Sequence, residues 1–198
     1  EKMSKSLNNF FTIRDILEKY DGETLRYFLI SSHYRSPLNF SSTNIDSAKS
    51  ALKRLYTATR GLSDNVDIDY VSNNNLDYED RFNSALNDDF NTPIAISILF
   101  EIAKQINVER LNDLKKANAL SQLLKKLANF LGILEYDADE YLKQGSELSE
   151  NEILDKISKR EQARLSKDFA MSDQVRDELL EFGIILEDTV DGTTWRRR

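Results

Sequence analysis

Residues 113–134 read DLKKANALSQLLKKLANFLGIL. Leu120, Leu123, Leu124, Leu127, Phe130, Leu131 and Leu134 recur at steps of three and four, which is the seam of one helix laid against others in a bundle. Upstream, Thr92 and Pro93 read as the N-cap and first position of a second helix, since proline gives up an amide hydrogen that the first turn does not use. Ala95, Ile98, Leu99, Ile102 and Ile106 carry that helix on. A short helical piece around Phe82 to Leu86 precedes it. The middle of the chain is therefore expected to be a helical bundle.

Working outward to the N-terminal side, residues 64–76 (DNVDIDYVSNNNL) have no sustained period and read as a loop or linker. Ahead of it, a helix is expected from Ser42 to about Leu62, with Ile45, Ala48, Leu52, Leu55 and Tyr56 as its buried stripe. Asp21 is placed to cap an earlier helix with Leu25, Phe28 and Leu29 at core spacing, and Pro37 closes that neighbourhood in a turn. Thr12 and Asp15 form a capping-box pattern for a short helix with Ile13, Ile16, Leu17 and Tyr20 on one apolar face. On the C-terminal side, Lys143 to Glu150 is a second candidate linker. Two helices, Ile153 to Leu165 and Phe169 to Phe182, are expected next, the second ended by Gly183. A strand at Ile184 to Leu186 and a hairpin turn at Asp191-Gly192 before Thr193, Thr194 and Trp195 complete a small α+β tail.

Composition excludes several chemistries. The 198 residues contain no cysteine and one histidine, so disulfide frameworks, thiolate zinc sites, cysteine nucleophiles and multi-histidine metal sites are ruled out within the chain. No run of 18 uncharged apolar residues and no signal-peptide pattern is present, so a cytoplasmic location with no membrane contact is expected. The formal charge of −7 hides a gradient: +4 over residues 1–62, −10 over 63–152 and −1 over 153–198. A basic first third and a closing Arg196, Arg197, Arg198 suit a polyanion touched at two places, although solvated surface is the default for any single charge.

The most pointed motif is Lys2-Met3-Ser4-Lys5-Ser6, a loop with two ammonium groups and two hydroxyls ahead of a capped helix. Such a loop can gather phosphate oxygens and neutralise charge that grows as a phosphoryl bond breaks. This pentapeptide resembles the signature loop of class I aminoacyl-tRNA synthetases. Five segments in order, KMSKSLNNFFTIRDIL (2–17), LRYFLISSHYRSPLNFS (25–41), DDFNTP (88–93), RLSKDFAMSDQVRDEL (164–179) and GIILEDTVDGTTWRR (183–197), are similar to the cysteinyl-tRNA synthetase family. Asn8 departs from that pattern, where the family has glycine.

The resemblance implies a mainly α chain in three parts: a KMSKS loop with stem-contact helices (1–62), a DALR-type helical bundle (77–142), and a small anticodon-binding module (153–198). It implies that Lys2, Met3, Ser4, Lys5 and Ser6 belong to an ATP site, with Lys2 and Lys5 catalytic and Lys5 the better candidate for stabilising the leaving pyrophosphate. It implies anticodon contacts from Arg164, Phe169, Asp173 and Asp188, and less firmly from Thr194 and Trp195. The residue chemistry agrees with that reading: Arg160 and Arg164 lie four apart on one helical face, Phe169 offers a π-surface, and the two carboxylates can accept from guanine or cytosine amino groups. Phe169 and Trp195 fit a core equally well. His33 is expected to be structural, whereas Arg35, Lys49, Lys53 and Arg54 are candidates for phosphates along a tRNA stem.

The chain starts at Glu1 inside a motif, so a longer parent is expected, with the family's HIGH motif, nucleotide fold and zinc site lying before it. The resemblance implies that such a parent activates cysteine with ATP and transfers it to cysteine tRNA. The piece alone is expected to be monomeric, to bind tRNA, to hold neither ATP nor zinc and not to catalyse. A free-standing RNA-binding or regulatory helical protein is the alternative. A ligase acting on a small molecule is a weaker one, since it would not need the tail from Ile153 to Arg198.

Overall fold

The computed structural model describes residues 12–63, 77–144, 148–189 and 192–197. By contacts the chain divides into two units, residues 1–135 and 136–198.

In the first unit, Thr12 caps α1 (Ile13–Leu17) in a full capping box with Asp15. Asp21 caps α2 (Gly22–Ile30), accepting from the Thr24 amide at 2.7 Å. Ser41 caps α3 (Ser42–Thr59), which stops short of the expected Leu62 because Gly61 turns the chain in the left-handed conformation at φ +69°. Next come α4 (Tyr78–Asn87), α5 (Thr92–Asn112) and α6 (Leu114–Phe130). Asn91, not Thr92, caps α5 by accepting from the Ile94 amide, so Pro93 sits one position deeper than expected, still within the first turn.

The core follows from which helices are apolar all round. In α5, Ala95, Ile96, Ile98, Leu99, Ile102, Ala103 and Ile106 are buried, a spread too wide for one stripe, and this helix packs against α3, α4 and α6. α2 lies on α3. Polar anchors fasten the bundle, among them three that reach backbone or buried groups. Arg110 donates to the carbonyls of Ala58 (2.8 Å) and Arg60 (2.9 Å), satisfying acceptors at the end of α3. The Asn118 side chain accepts from the Ser63 amide at 3.0 Å. Buried Glu23 accepts from the Tyr56 hydroxyl at 2.7 Å and the Glu135 amide at 3.0 Å.

Helix α6 ends in a paired motif: Gly132, at φ +69°, donates to Asn129 O at 2.8 Å and Ile133 donates to Ala128 O at 3.1 Å. Several apolar positions expected inside are outside. Phe130 is 76% exposed, meeting Phe82 edge-on, because the helix is already ending where the seam pattern continues. Leu29 is half exposed, and Ile13 and Leu17 are exposed with nothing buried on α1. One turn and a half of helix packs too little area to cover an apolar face.

In the second unit, Asp137 caps α7 (Ala138–Lys143), and Ser149 with Glu152 makes a capping box for α8 (Glu150–Leu165), three residues before the expected start. Asp168 caps α9 (Phe169–Glu181) after a turn in which Lys167 has φ +61°. β1 (Ile184–Thr189) pairs antiparallel with β2 (Gly192–Arg197), after Gly183 ends α9 at φ +71°. Ile153 and Ile157 of α8, Val175 and Leu179 of α9, Ile184 and Trp195 form the core, with Leu148 and Leu186 against it. α7 packs on β2, so residues 136–142, which the sequence reading grouped with the bundle, fall in this unit. The Lys143 ammonium sits 5.3 Å from the Trp195 ring centre.

Candidate nucleic-acid interface

The strand register decides what the hairpin shows on each face. Asp188 stands opposite Thr193 and Leu186 opposite Trp195, so these side chains share the face that carries the core. Thr194, paired with Glu187, lies on the reverse face, its hydroxyl 3.3 Å from the Glu187 carbonyl. Trp195 is 4% exposed and belongs to the core, as the second of its two readings had it; it offers no stacking surface.

Asp188 is the hub. Arg160, buried in α8, donates from one terminal nitrogen to Oδ1 and from the other to Oδ2, both at 2.9 Å. The Thr193 hydroxyl donates to Oδ1 at 2.8 Å, and Arg164, one helical turn along, donates to Oδ2 at 3.1 Å. The Arg160 hydrogen bonds, then the Thr193 hydroxyl, hold the Asp188 carboxyl well below the usual carboxylate range. The Asp188 bond raises the proton affinity of Arg160 against the opposing effect of burial, and the charges of Glu161 and Asp173 add to it. A fork paired with both oxygens of a carboxylate fixes direction as well as distance.

Beside this hub is an open groove of about 430 Å³, lined by Glu161, Arg164, Leu165, Asp188, Thr189, Gly192 and Thr193. Leu165 is 85% exposed, and Phe169, the first residue of α9, is 64% exposed and outside the core. Of the sequence candidates, the fold brings Arg164 and Asp188 into contact and puts the Asp173 charge within reach of Arg160. Phe169 keeps an exposed ring, while Thr194 lies on the reverse face and Trp195 is buried in the core. Thr193 and the Arg160 fork are what the sequence reading missed. The i, i+4 arginines are legible, but a turn at Asp191-Gly192 would set 188 opposite 195; the observed register pairs Thr189 with Gly192 and so brings Thr193 opposite Asp188, and nothing local says that a buried arginine reaches the strand.

In the first unit, His33, Tyr34 and Arg35 close on the 88–93 loop. Tyr34 donates to the Asp89 carboxylate at 2.8 Å and accepts from Arg35 Nε at 2.8 Å; Arg35 also meets Asp89 at 3.1 Å. The Arg35 amide donates to His33 Nδ1 at 3.3 Å, which leaves Nε2 to donate to the Asp89 carbonyl at 3.1 Å. Asp89 and Phe90 are held at φ +54° and +52°, in a region that favours glycine. His33 is thus a fastener, and Arg35 is paired although 68% exposed. Arg54 lies over Phe100 at 5.0 Å; Lys49 and Lys53 are half-buried on α3. Lys2, Met3, Ser4, Lys5 and Ser6 lie outside the described residues, as do the 64–76 linker and Asp191. Among the described residues, no group of three His, Cys, Asp or Glu is placed to hold a metal, and no helix is long and apolar enough to cross a membrane.

Comparison with known proteins supplies the frame for this geometry. The DALR domain model matches residues 81–135, and the model for the class I (C) tRNA synthetase catalytic domain matches residues 1–50. Over these two stretches the chain is similar to the DALR domain and to the class I tRNA synthetases. Over its whole length it is similar to the C-terminal region of cysteine–tRNA ligases. It is 50% identical to that of Yersinia enterocolitica, serotype O:8 / biotype 1B, over 201 residues, covering 100% of this chain and 43% of the relative. It is 49% identical to that of Pectobacterium carotovorum with the same coverage, and 49% identical to that of Pasteurella multocida over 199 residues, covering 42% of the relative. The chain thus spans less than half the length of these relatives.

Proposed function

We propose that this chain is the tRNA-holding region of a cysteine–tRNA ligase, in which cysteine is activated with ATP and passed to cysteine tRNA in the cytoplasm. The observation that carries the reading is the Arg164–Asp188 contact at the mouth of an open groove, with the exposed Phe169 ring on the following helix, in a chain similar throughout to such ligases. A guanidinium, a carboxylate and an aromatic face are the groups that read and stack an unpaired base. Single-stranded loops, whose bases are splayed out, present those edges. The anticodon loop is therefore the ligand of the tail, read by Arg164, Phe169, Asp173 and Asp188.

In this reading Lys2 and Lys5, with Met3, Ser4 and Ser6, supply the ATP site with charge against the triphosphate. Transition-state charge is what such a loop is suited to offset. The chain alone binds tRNA as a monomer, without ATP, zinc or catalysis of its own. The test is a titration at fixed salt of the chain with a cysteine tRNA transcript and with the same transcript carrying a changed anticodon. Tighter binding of the first, lost on Arg164→Ala, supports the reading; equal binding of both overturns it.

A further inference from the structure

Asp188 cannot accept from a nucleobase in the arrangement just described, because each carboxylate oxygen already takes two donors. Oδ1 is filled by Arg160 and Thr193, and Oδ2 by Arg160 and Arg164. A carboxylate offers about four lone-pair sites, so an incoming N–H needs one of these partners to leave. The partners differ in their freedom to do so. The Arg160 side chain is 7% exposed and held at both nitrogens, whereas the Arg164 side chain is 49% exposed and makes the longest of the carboxylate contacts from the groove wall.

We propose that Arg160 is a positioning residue that holds Asp188 rigid, with Thr193, and that Arg164 is an exchangeable cover on Oδ2 whose place is taken by a nucleobase amino group. The proposal rests on the anticodon reading above and goes beyond it in saying how the site is set before RNA arrives. The exchange costs little, because the departing guanidinium remains beside the bound base and can donate to its acceptors or to a phosphate. Withdrawal of Arg160 would be another matter, since it would strand a buried cation. Specificity follows: a base with no N–H to give leaves Oδ2 without its second donor, and the cover returns.

The test uses the full 198-residue chain, the anticodon stem-loop RNA of a cysteine tRNA, and the same RNA with a changed anticodon, at one salt concentration. Arg160→Lys keeps the charge but replaces the fork with a single ammonium, which cannot hold both oxygens in one plane. The ratio of the two affinities is expected to fall by about tenfold or more toward unity, the scale of one well-placed base contact, with binding of the changed RNA unaltered. If Arg160→Lys discriminates as the parent chain does, or weakens both RNAs alike, the positioning role is overturned. If the parent chain itself does not discriminate, the anticodon reading fails first and this proposal falls with it. Nitrogen-15 guanidinium spectra of the parent chain give a readout independent of the variant's folding. On addition of the cysteine stem-loop, the Arg164 signals are expected to move while those of Arg160 stay. Movement of both, or of neither, overturns the exchange.

Discussion

The Tyr56 hydroxyl, on α3, donates at 2.7 Å to the carboxylate of Glu23, on α2, and both side chains are buried. The pair ties the two helices through a group that is costly to bury charged. Tyr56→Phe removes the donor and leaves a carboxylate oxygen short of a partner. Unfolding in urea is expected to show a loss of about 1–3 kcal/mol, with the slope of the transition unchanged.

The same pair gives a pH dependence of definite sign. Burial raises the Glu23 carboxyl above its ordinary value, against the opposing hydrogen bonds from Tyr56 and the Glu135 and Leu134 backbone. The folded state therefore holds this proton more tightly than the unfolded chain. That contribution to stability is present below the ordinary carboxylate range and is lost as pH rises through the raised folded value. Melting temperatures of the parent chain and Glu23→Gln across mildly acidic to neutral pH should differ in slope, the variant lacking this decline. Parallel curves would contradict it.

Asp188 works in the opposite direction. Its carboxyl is depressed, first by Arg160, so its contribution is present above the ordinary value and is lost as pH falls toward the depressed one. Asp188→Asn should therefore lower the stability of the second unit at neutral pH and flatten its acid dependence, read from hydrogen exchange of β1 and β2 amides. Because the two units have separate cores, exchange in α5 should not change.

Phe169→Ala should separate binding from folding. The ring is 64% exposed and outside the core, so the melting temperature should shift little. If the ring stacks a base, affinity for the cysteine stem-loop should fall by roughly 1–3 kcal/mol. Unchanged affinity would remove Phe169 from the site.

Gly132→Ala is expected to destabilise the first unit by about 1 kcal/mol or more, measured by chemical denaturation. The position has φ +69°, and a Cβ there would meet the Arg26 side chain.

Local rules read most of this fold, and their failures have a shared cause. The caps at Thr12 and Asp21 and the left-handed Gly183 act within four residues, so the sequence alone locates them. Leu29 and Phe130 obey the helical period yet face out, because period assigns a face and only the neighbouring helices decide whether that face is covered. The α8 capping box at Ser149 and Glu152 is hidden from local reading because Ser149 falls inside the polar run, Lys143 to Glu150, that reads as linker. Trp195 shows the limit at the site: an aromatic three residues beyond Gly192 fits a core or an RNA platform, and the register with Leu186 puts it in the core. Arg160 joins Asp188 across 28 positions, a distance that no local pattern spans.

The double engagement of Asp188 constrains how the tail can change. One carboxylate ends the core at Arg160 and faces the groove beside Arg164. A substitution at 188 that alters base preference also loosens the hairpin, so drift toward a new anticodon is opposed there by selection for a folded tail. Arg164 and Phe169, exposed and outside the core, carry no such double duty. They are the positions where a laboratory library, or a diverging lineage, is freest to move.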